Sequence, residues 1–214
     1  MINIQRFVVN LIGENCYVVS DETNEAVMID CGAYSQDEEQ EISRYISDNA
    51  LILRNLICTH AHFDHILGDM FVYGHFHLNP MLHPADMWLY DNVELQIRNF
   101  LHKEIRISMP DVGAYIYYGD VISFGHHHLK AIATPGHTPG GLSFYCKEES
   151  LLFSGDSLFS HSIGRTDFPY GDEDALIRSL TENVMTLPNE TVILPGHGGP
   201  TTVREEKAMN PFLQ

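Results

Sequence analysis

The stretch Thr59-His60-Ala61-His62-Phe63-Asp64-His65 decides the fold of this chain. Four side chains able to hold a metal, His60, His62, Asp64 and His65, fall within six residues. The apolar run 51–58 precedes them and reads as a buried strand. Residues 66–71 follow and read as the first turns of a helix. The cluster therefore belongs at the carboxyl end of a strand, in the turn into a helix. That edge of an α/β sheet is where ligands bind.

The spacing carries chemistry. His60 and His62 are separated by one residue, so in extended backbone both side chains leave on the same side. That suits two ligands on one ion. Asp64 and His65 lie where the backbone has turned and can address a second ion. An ion needs at least three protein ligands, so further donors are expected from distant strand ends.

Three later segments repeat one grammar of apolar strand, glycine and a single ligand-type residue. They are Thr134-Pro135-Gly136-His137, Ser154-Gly155-Asp156 and Pro195-Gly196-His197-Gly198. An economical assignment places His60, His62 and His137 on one ion and Asp64, His65 and His197 on another, with Asp156 bridging. Two such ions lie ~3.5–4 Å apart with a shared water between them. Imidazole and carboxylate without thiolate suit zinc, and also iron or manganese. Ordinary turns that carry polar residues by chance are the alternative for each segment alone.

Working outward, 4–9, 16–20 and 26–30 read as strands, and 35–49 as a surface helix with acidic residues in its first turn. A helix is expected over 64–73, a short strand over 80–83 and a helix over 84–101. Residues 103–113 are weakly patterned and are taken as the crossover between two β-rich halves. Strands at 114–118, 121–124, 129–134, 142–146 and 150–154 follow, then a helix over 172–187, a strand at 191–194 and a helix from 203. Two β-rich halves with helices outside predict an α/β protein, a four-layer αββα sandwich forming one domain over 1–214.

Composition bounds the partners. The chain has 214 residues, a formal net charge of −17 and no basic run. Nucleic acid and anionic membrane surfaces are excluded as partners, and a small-molecule substrate is expected. Cys16, Cys31, Cys58 and Cys146 form no CxxC pair and read as reduced thiols of a cytoplasmic protein. The first residues lack the pattern of a secretory signal, and no apolar run could span a membrane. His126, His127 and His128 alternate across a strand and cannot all face one ion, so they read as surface or packing residues. His161 is set apart only by its place beside the loop that carries Arg165.

The ordered motifs His60-Ala61-His62-Phe63-Asp64-His65, Thr134-Pro135-Gly136-His137-Thr138, Gly155-Asp156 and Pro195-Gly196-His197-Gly198 resemble those of the metallo-β-lactamase superfamily. Asn15-Cys16-Tyr17 and Asp30-Cys31-Gly32 resemble its opening strands. The resemblance spans nearly the whole chain and implies that superfamily's fold and metal site. It says less about substrate, because unrelated activities share one fold. The run Gly164-Arg165-Thr166-Asp167-Phe168 is similar to two of its groups. These are the glyoxalase II-like hydrolases of acylglutathione thioesters and the persulfide dioxygenases, which use a single iron. The glycines around His197 favour the hydrolase. The resemblance then implies hydrolysis of thioesters of the S-acylglutathione (S-lactoylglutathione) type, by attack of water shared between two ions and oriented by Asp64 and Asp156. It makes Arg165 the residue that holds the glutathione moiety, while an Arg165–Asp167 ion pair bracing the loop is the structural alternative. A mononuclear iron centre on His60, His137 and Asp156 is the competing expectation, and lactone hydrolysis is a further one.

Overall fold

A computed structural model describes residues 2–214. The first sheet holds β1 (Asn3–Val9), β2 (Glu14–Ser20), β3 (Glu25–Ile29), β4 (Ile52–Ile57), β5 (Pro80–Leu82) and β6 (Ala114–Tyr115), in that spatial order. The first three strands pair antiparallel and the remainder parallel. Parallel neighbours need crossovers. Helix α1 (Gln36–Asp48) makes the first, α2 (Phe63–Ile66) and α3 (Asp69–Phe76) the second, α4 (Met87–Asp91) and α5 (Val93–Leu101) the third. The second sheet contains β7 (Val121–Phe124), β8 (His127–Ala133), β9 (Leu142–Cys146) and β10 (Leu151–Gly155). A two-stranded hairpin, β11 (Leu158–Phe159) and β12 (Ser162–Ile163), and helix α6 (Glu173–Ser179) come next. Strands β13 (Val192–Pro195) and β14 (Thr201–Thr202) complete that sheet, and α7 (Val203–Met209) follows.

Period-two burial explains the layering. In β2, Tyr17 and Val19 pack between the sheets with Val27, Ile57, Phe144 and Phe153. Cys16 and Val18 point the other way, against Ile42 and Ile46 of α1 and Val72 of α3. A central strand covered on both faces is buried throughout, and here the middle of β2, Cys16 to Val19, is the uncharged, largely apolar run that this requires. On the second sheet Leu152 and Ile193 meet Leu176 of α6 and Val203 of α7. The result is the expected four-layer αββα sandwich. Helix α1 starts at a reciprocal cap in which Ser35 Oγ accepts from Glu38 N and Glu38 Oε2 accepts from Ser35 N.

Several elements differ from the sequence expectation. The strand at 114–118 is short and edges the first sheet, so the chain changes sheets at 116–120 rather than at 103–113. Periodicity cannot tell which sheet an edge strand joins. The helix over 64–73 breaks at Gly68, where a Cβ would meet Cys31 Sγ at 2.5 Å. That over 84–101 is three pieces, a 3₁₀ turn Pro84–Asp86, then α4 and α5, with Asn92 Nδ2 capping Trp88 O between the last two. The one over 172–187 widens into a π-turn at Leu180–Val184. Strand β4 is exposed at its start, with Ile52 48% accessible, and becomes buried only towards the site. No helix among the described residues is long and apolar enough to cross a membrane.

Phe144 is fully buried between the sheets. Phe144→Ala is expected to cost about 3–5 kcal/mol of stability. Urea unfolding should show a lowered midpoint at an unchanged slope.

Candidate metal centre

Four strand ends meet at one edge of the sandwich. The segment after β4 supplies His60, His62, Asp64 and His65. The loop after β8 supplies His137, the end of β10 supplies Asp156, and the end of β13 supplies His197. All seven residues singled out in the sequence come together here. His60, His62 and His137 form one group of converging donors, and Asp64, His65 and His197 form another. Asp156 stands between them. Its Oδ1 is 3.3 Å from His65 Nε2, and its Oδ2 is 3.6 Å from His197 Nε2 and 3.7 Å from His137 Nε2. Asp64 Oδ2 is 3.2 Å from His197 Nε2.

Hydrogen bonds behind the rings fix which nitrogen faces inward. His65 Nδ1 donates to Asp30 Oδ2 at 2.9 Å. His137 Nδ1 donates to the Arg165 carbonyl at 2.6 Å, and His197 Nδ1 donates to the Gly13 carbonyl at 3.2 Å. Thr59 Oγ1 gives its proton to Asp30 Oδ2 and so accepts from His60 Nδ1 at 3.0 Å. Each bond leaves an Nε2 lone pair aimed at the centre, the arrangement that orients imidazole for a metal. His62 turns its other nitrogen inward, with Nδ1 2.9 Å from His137 Nε2.

The loops are tied to one another as well. Asp86 accepts from Ala61 N, Thr138 Oγ1 and Gly140 N, which joins the His60–His62 loop to the His137 loop. Gln96 clamps the first loop from α5, donating to Ala61 O and accepting from Phe63 N. Asn10 Nδ2 holds the carbonyls of Gly32 and Asp64. Asn15 Nδ2 and the Tyr17 hydroxyl bind Pro195 O, just before His197. At Gly196 a Cβ would lie 2.3 Å from Asp156 Oδ1, so only glycine lets the last loop approach this closely.

The electrostatics call for positive charge. Burial pushes the His60 and His62 pKa values down, that of His62 to about 3, helped by the neighbouring imidazoles. Burial thus favours the neutral form of both rings, the form able to hold a metal. For His65 burial works in the same direction but is outweighed by Asp156, Asp64 and Asp30, which hold its pKa well above the usual histidine value. His197 is likewise raised, against its burial, by Asp64 and Asp156. Asp156 lies below the usual carboxylate range despite burial because His65, His137 and His197 surround it.

His60 Nε2 and Asp156 Oδ1 are buried without a hydrogen-bond partner. The nearby His65 Nε2 is close to that oxygen in distance but not aligned for a bond. Unpaired buried groups of this kind are rare and costly. A cation among them resolves both, and the imidazole and carboxylate donors fit divalent ions of the zinc, iron or manganese type.

Above the donors opens a cavity of about 500 Å³. Its floor includes His62, Asp64, His137, Asp156 and His197, and its walls come from α4, α5 and the 164–171 loop. Arg165 lines it, with its guanidinium paired through two bonds to Asp167 and lying 4.2 Å over the Phe168 ring.

Residues 9–197 match the family model of the metallo-β-lactamase superfamily. The chain belongs to that superfamily. It is 32% identical over 212 residues to hydroxyacylglutathione hydrolase GloC of Haemophilus influenzae, covering 99% of this chain and 98% of that one. The crystal structure of BLEG-1 B3 metallo-β-lactamase superposes with a TM-score of 0.90 at 31% identity, covering 99% of this chain and all of that one. TTHA1623, solved in a di-iron-bound form, superposes at 0.84 with 34% identity over 98% of this chain and all of that one. The fold is the metallo-β-lactamase fold, and the chain is a metal-dependent hydrolase with the superfamily's divalent-metal chemistry.

The supporting residues Asp30, Asp86, Gln96 and Asn10 were not visible as such in the sequence. Asp30 alone left a trace, as a strand-end acid before a glycine. The unassigned histidines lie apart from the centre. His127 is buried between Asp21 and Glu149, His126 pairs with Glu22, and His161 pairs with Glu205. All four cysteines are free and buried.

Asp86 is itself buried, and burial lifts its pKa to about 6 against the three bonds it accepts. Asp86→Ala strands two backbone N–H groups and a hydroxyl. The expected loss is about 2–4 kcal/mol, read as a melting temperature lower by roughly 10 °C together with reduced metal retention.

Proposed function

We propose that the chain hydrolyses thioesters of the S-acylglutathione type at a centre of two divalent ions, zinc first and iron as the alternative. The observation that carries this reading is the pair of donor groups joined by Asp156 beneath a single substrate-sized cavity. His60, His62 and His137 would hold one ion and Asp64, His65 and His197 the other, with Asp156 shared. Bound there, such ions polarise a carbonyl and lower the pKa of water to near neutral.

The chain's own groups do the rest. Asp64 and Asp156 face the cavity floor and orient the attacking water by accepting its hydrogen bond. The cavity walls exclude bulk solvent from the acyl carbon. A thiolate leaves readily, so the absence of a lysine or tyrosine among the cavity's lining residues is no obstacle. Arg165 is exposed, and an exposed ion pair exchanges easily, so its guanidinium can leave Asp167 for a glutathione carboxylate at the rim.

The similarity to hydroxyacylglutathione hydrolase GloC supports the thiol, and that to a di-iron form of TTHA1623 keeps iron in view. A single iron with oxygen chemistry is the competing reading. The equal completeness of the second donor group weighs against it.

Elemental analysis of protein purified without chelator, with oxygen uptake and thioester loss followed on the same sample, tests the reading. Two metals per chain with thioester loss and no oxygen uptake are expected. One iron with persulfide-dependent oxygen uptake would replace it. Asp156→Ala should lower metal content and reduce turnover at least about a hundredfold. Arg165→Ala should raise KM for a glutathione thioester several-fold, and much less for the same acyl group on an uncharged thiol.

A further inference from the structure

The cavity over the metal centre is apolar beyond its floor. Trp88 and Leu89 of α4, Leu95 and Phe100 of α5, and Phe168 and Pro169 of the 164–171 loop form its walls. The polar side chains of these walls are Gln96, the exposed Asn99 on the solvent side of α5, and Arg165. Gln96 gives its amide hydrogens to Ala61 O and Leu89 O and accepts from Phe63 N. Arg165 stands at the rim, paired with Asp167 over the Phe168 face and with 59% of its side chain in solvent, so a charge it takes up stays outside these walls. A carboxylate, ammonium or hydroxyl buried against the apolar part of these walls, away from Asn99 and the rim, would lose water and gain no partner. Hydrocarbon there gains about fourfold in affinity for each methylene taken out of water.

We propose that this cavity is an acyl subsite selecting thioesters of medium-chain aliphatic or aryl acids over small hydroxyacyl groups such as lactoyl. The inference rests on the thioesterase reading and assigns the two ends of its substrate. The scissile carbonyl must reach the donors on the floor, so one arm of the thioester fills the space between α4, α5 and Phe168. Glutathione carries two carboxylates and an ammonium and cannot be that arm. It extends past Arg165 to the rim, and the acyl chain turns inward. In the reaction the water oxygen bonds to the acyl carbon and the C–S bond breaks. The electron pair leaves on sulfur, which takes up a proton, giving a carboxylic acid and a thiol.

The chain has a built-in reporter, because Trp88 is its single tryptophan and stands in the cavity wall. S-alkyl glutathiones are uncleavable and carry hydrocarbon on the same sulfur. Titration of the metal-loaded protein from S-methyl to S-hexyl should shift Trp88 emission and raise affinity about fourfold per methylene. With real substrates on one thiol, kcat/KM for the hexanoyl thioester should exceed that for the lactoyl thioester at least about tenfold. Leu95→Asp, checked for native circular dichroism, should flatten both gradients. Chain-length-independent binding, or a lactoyl thioester cleaved as well as hexanoyl, overturns the acyl subsite while leaving the thioesterase reading standing. A steep binding gradient with no thioester cleaved overturns the reaction and upholds the apolar selectivity. Unchanged gradients in folded Leu95→Asp would remove the subsite from this cavity.

Discussion

One buried carboxylate, Asp30, holds the working edge of the first sheet together. It ends β3 in a left-handed backbone turn with φ 55° and receives Thr59 N, Thr59 Oγ1 and His65 Nδ1. The ends of β3 and β4 are thereby locked side by side. Through Thr59 and directly, the same carboxylate sets the tautomers of His60 and His65, one donor from each group. Asp86 plays the corresponding part between the sheets, tying the β4 loop to the β8 loop. Five imidazoles and two carboxylates removed from water are not a self-stabilising cluster. They keep their geometry because four of the five rings are hydrogen-bonded from behind by groups the fold has already fixed, and the fifth, His62, packs edge-on against Phe168.

That arrangement explains the divided electrostatics. His60 and His62 lose the proton on burial, whereas His65 and His197 are drawn towards it by the acids around them. The side of the centre nearer Asp64 and Asp156 therefore favours a cation most strongly. Glu14, fully buried behind His65 with one oxygen unpartnered, is pushed well above the usual carboxylate range by burial, which keeps it from adding another negative charge.

The fold and the donors were legible in the sequence for the same reason. Each candidate donor segment follows a strand-like run, and His137, Asp156 and His197 also adjoin a glycine, so local pattern placed His60, His137, Asp156 and His197 at strand ends before their neighbours were known. The layering followed from two β-rich halves with helices outside them. What escaped was non-local. Asp86 lies within an expected helix, and its role appears only when Ala61, Thr138 and Gly140 close around it. Gln96 likewise sits on a helix face whose partner loop is distant in sequence. The break at Gly68 answers to the close approach of Cys31, and that at Asn92 to a local side-chain cap on Trp88 O that the apolar period does not reveal. Arg165 was read both as a substrate contact and as the partner of Asp167. The pair forms, and its exposure leaves the first role open to it.

Floor and walls of the site are built from different material. The donors come from strand ends braced by Asp30 and Asp86, which tolerate little change because four of the five rings are held by a hydrogen bond behind them. The walls come from α4, α5 and the 164–171 loop, where Gln96 ties the first donor loop and Phe168 packs edge-on against His62 and His137. Substitution at Trp88 or Leu95 can therefore alter what is bound without altering how the donors are held. A chain with formal net charge −17 repels anions in general. Its cavity offers them one exposed arginine at the rim and hydrocarbon within. Selection for the uncharged end of a substrate follows from that contrast, and the charged end is left where water and Arg165 can hold it.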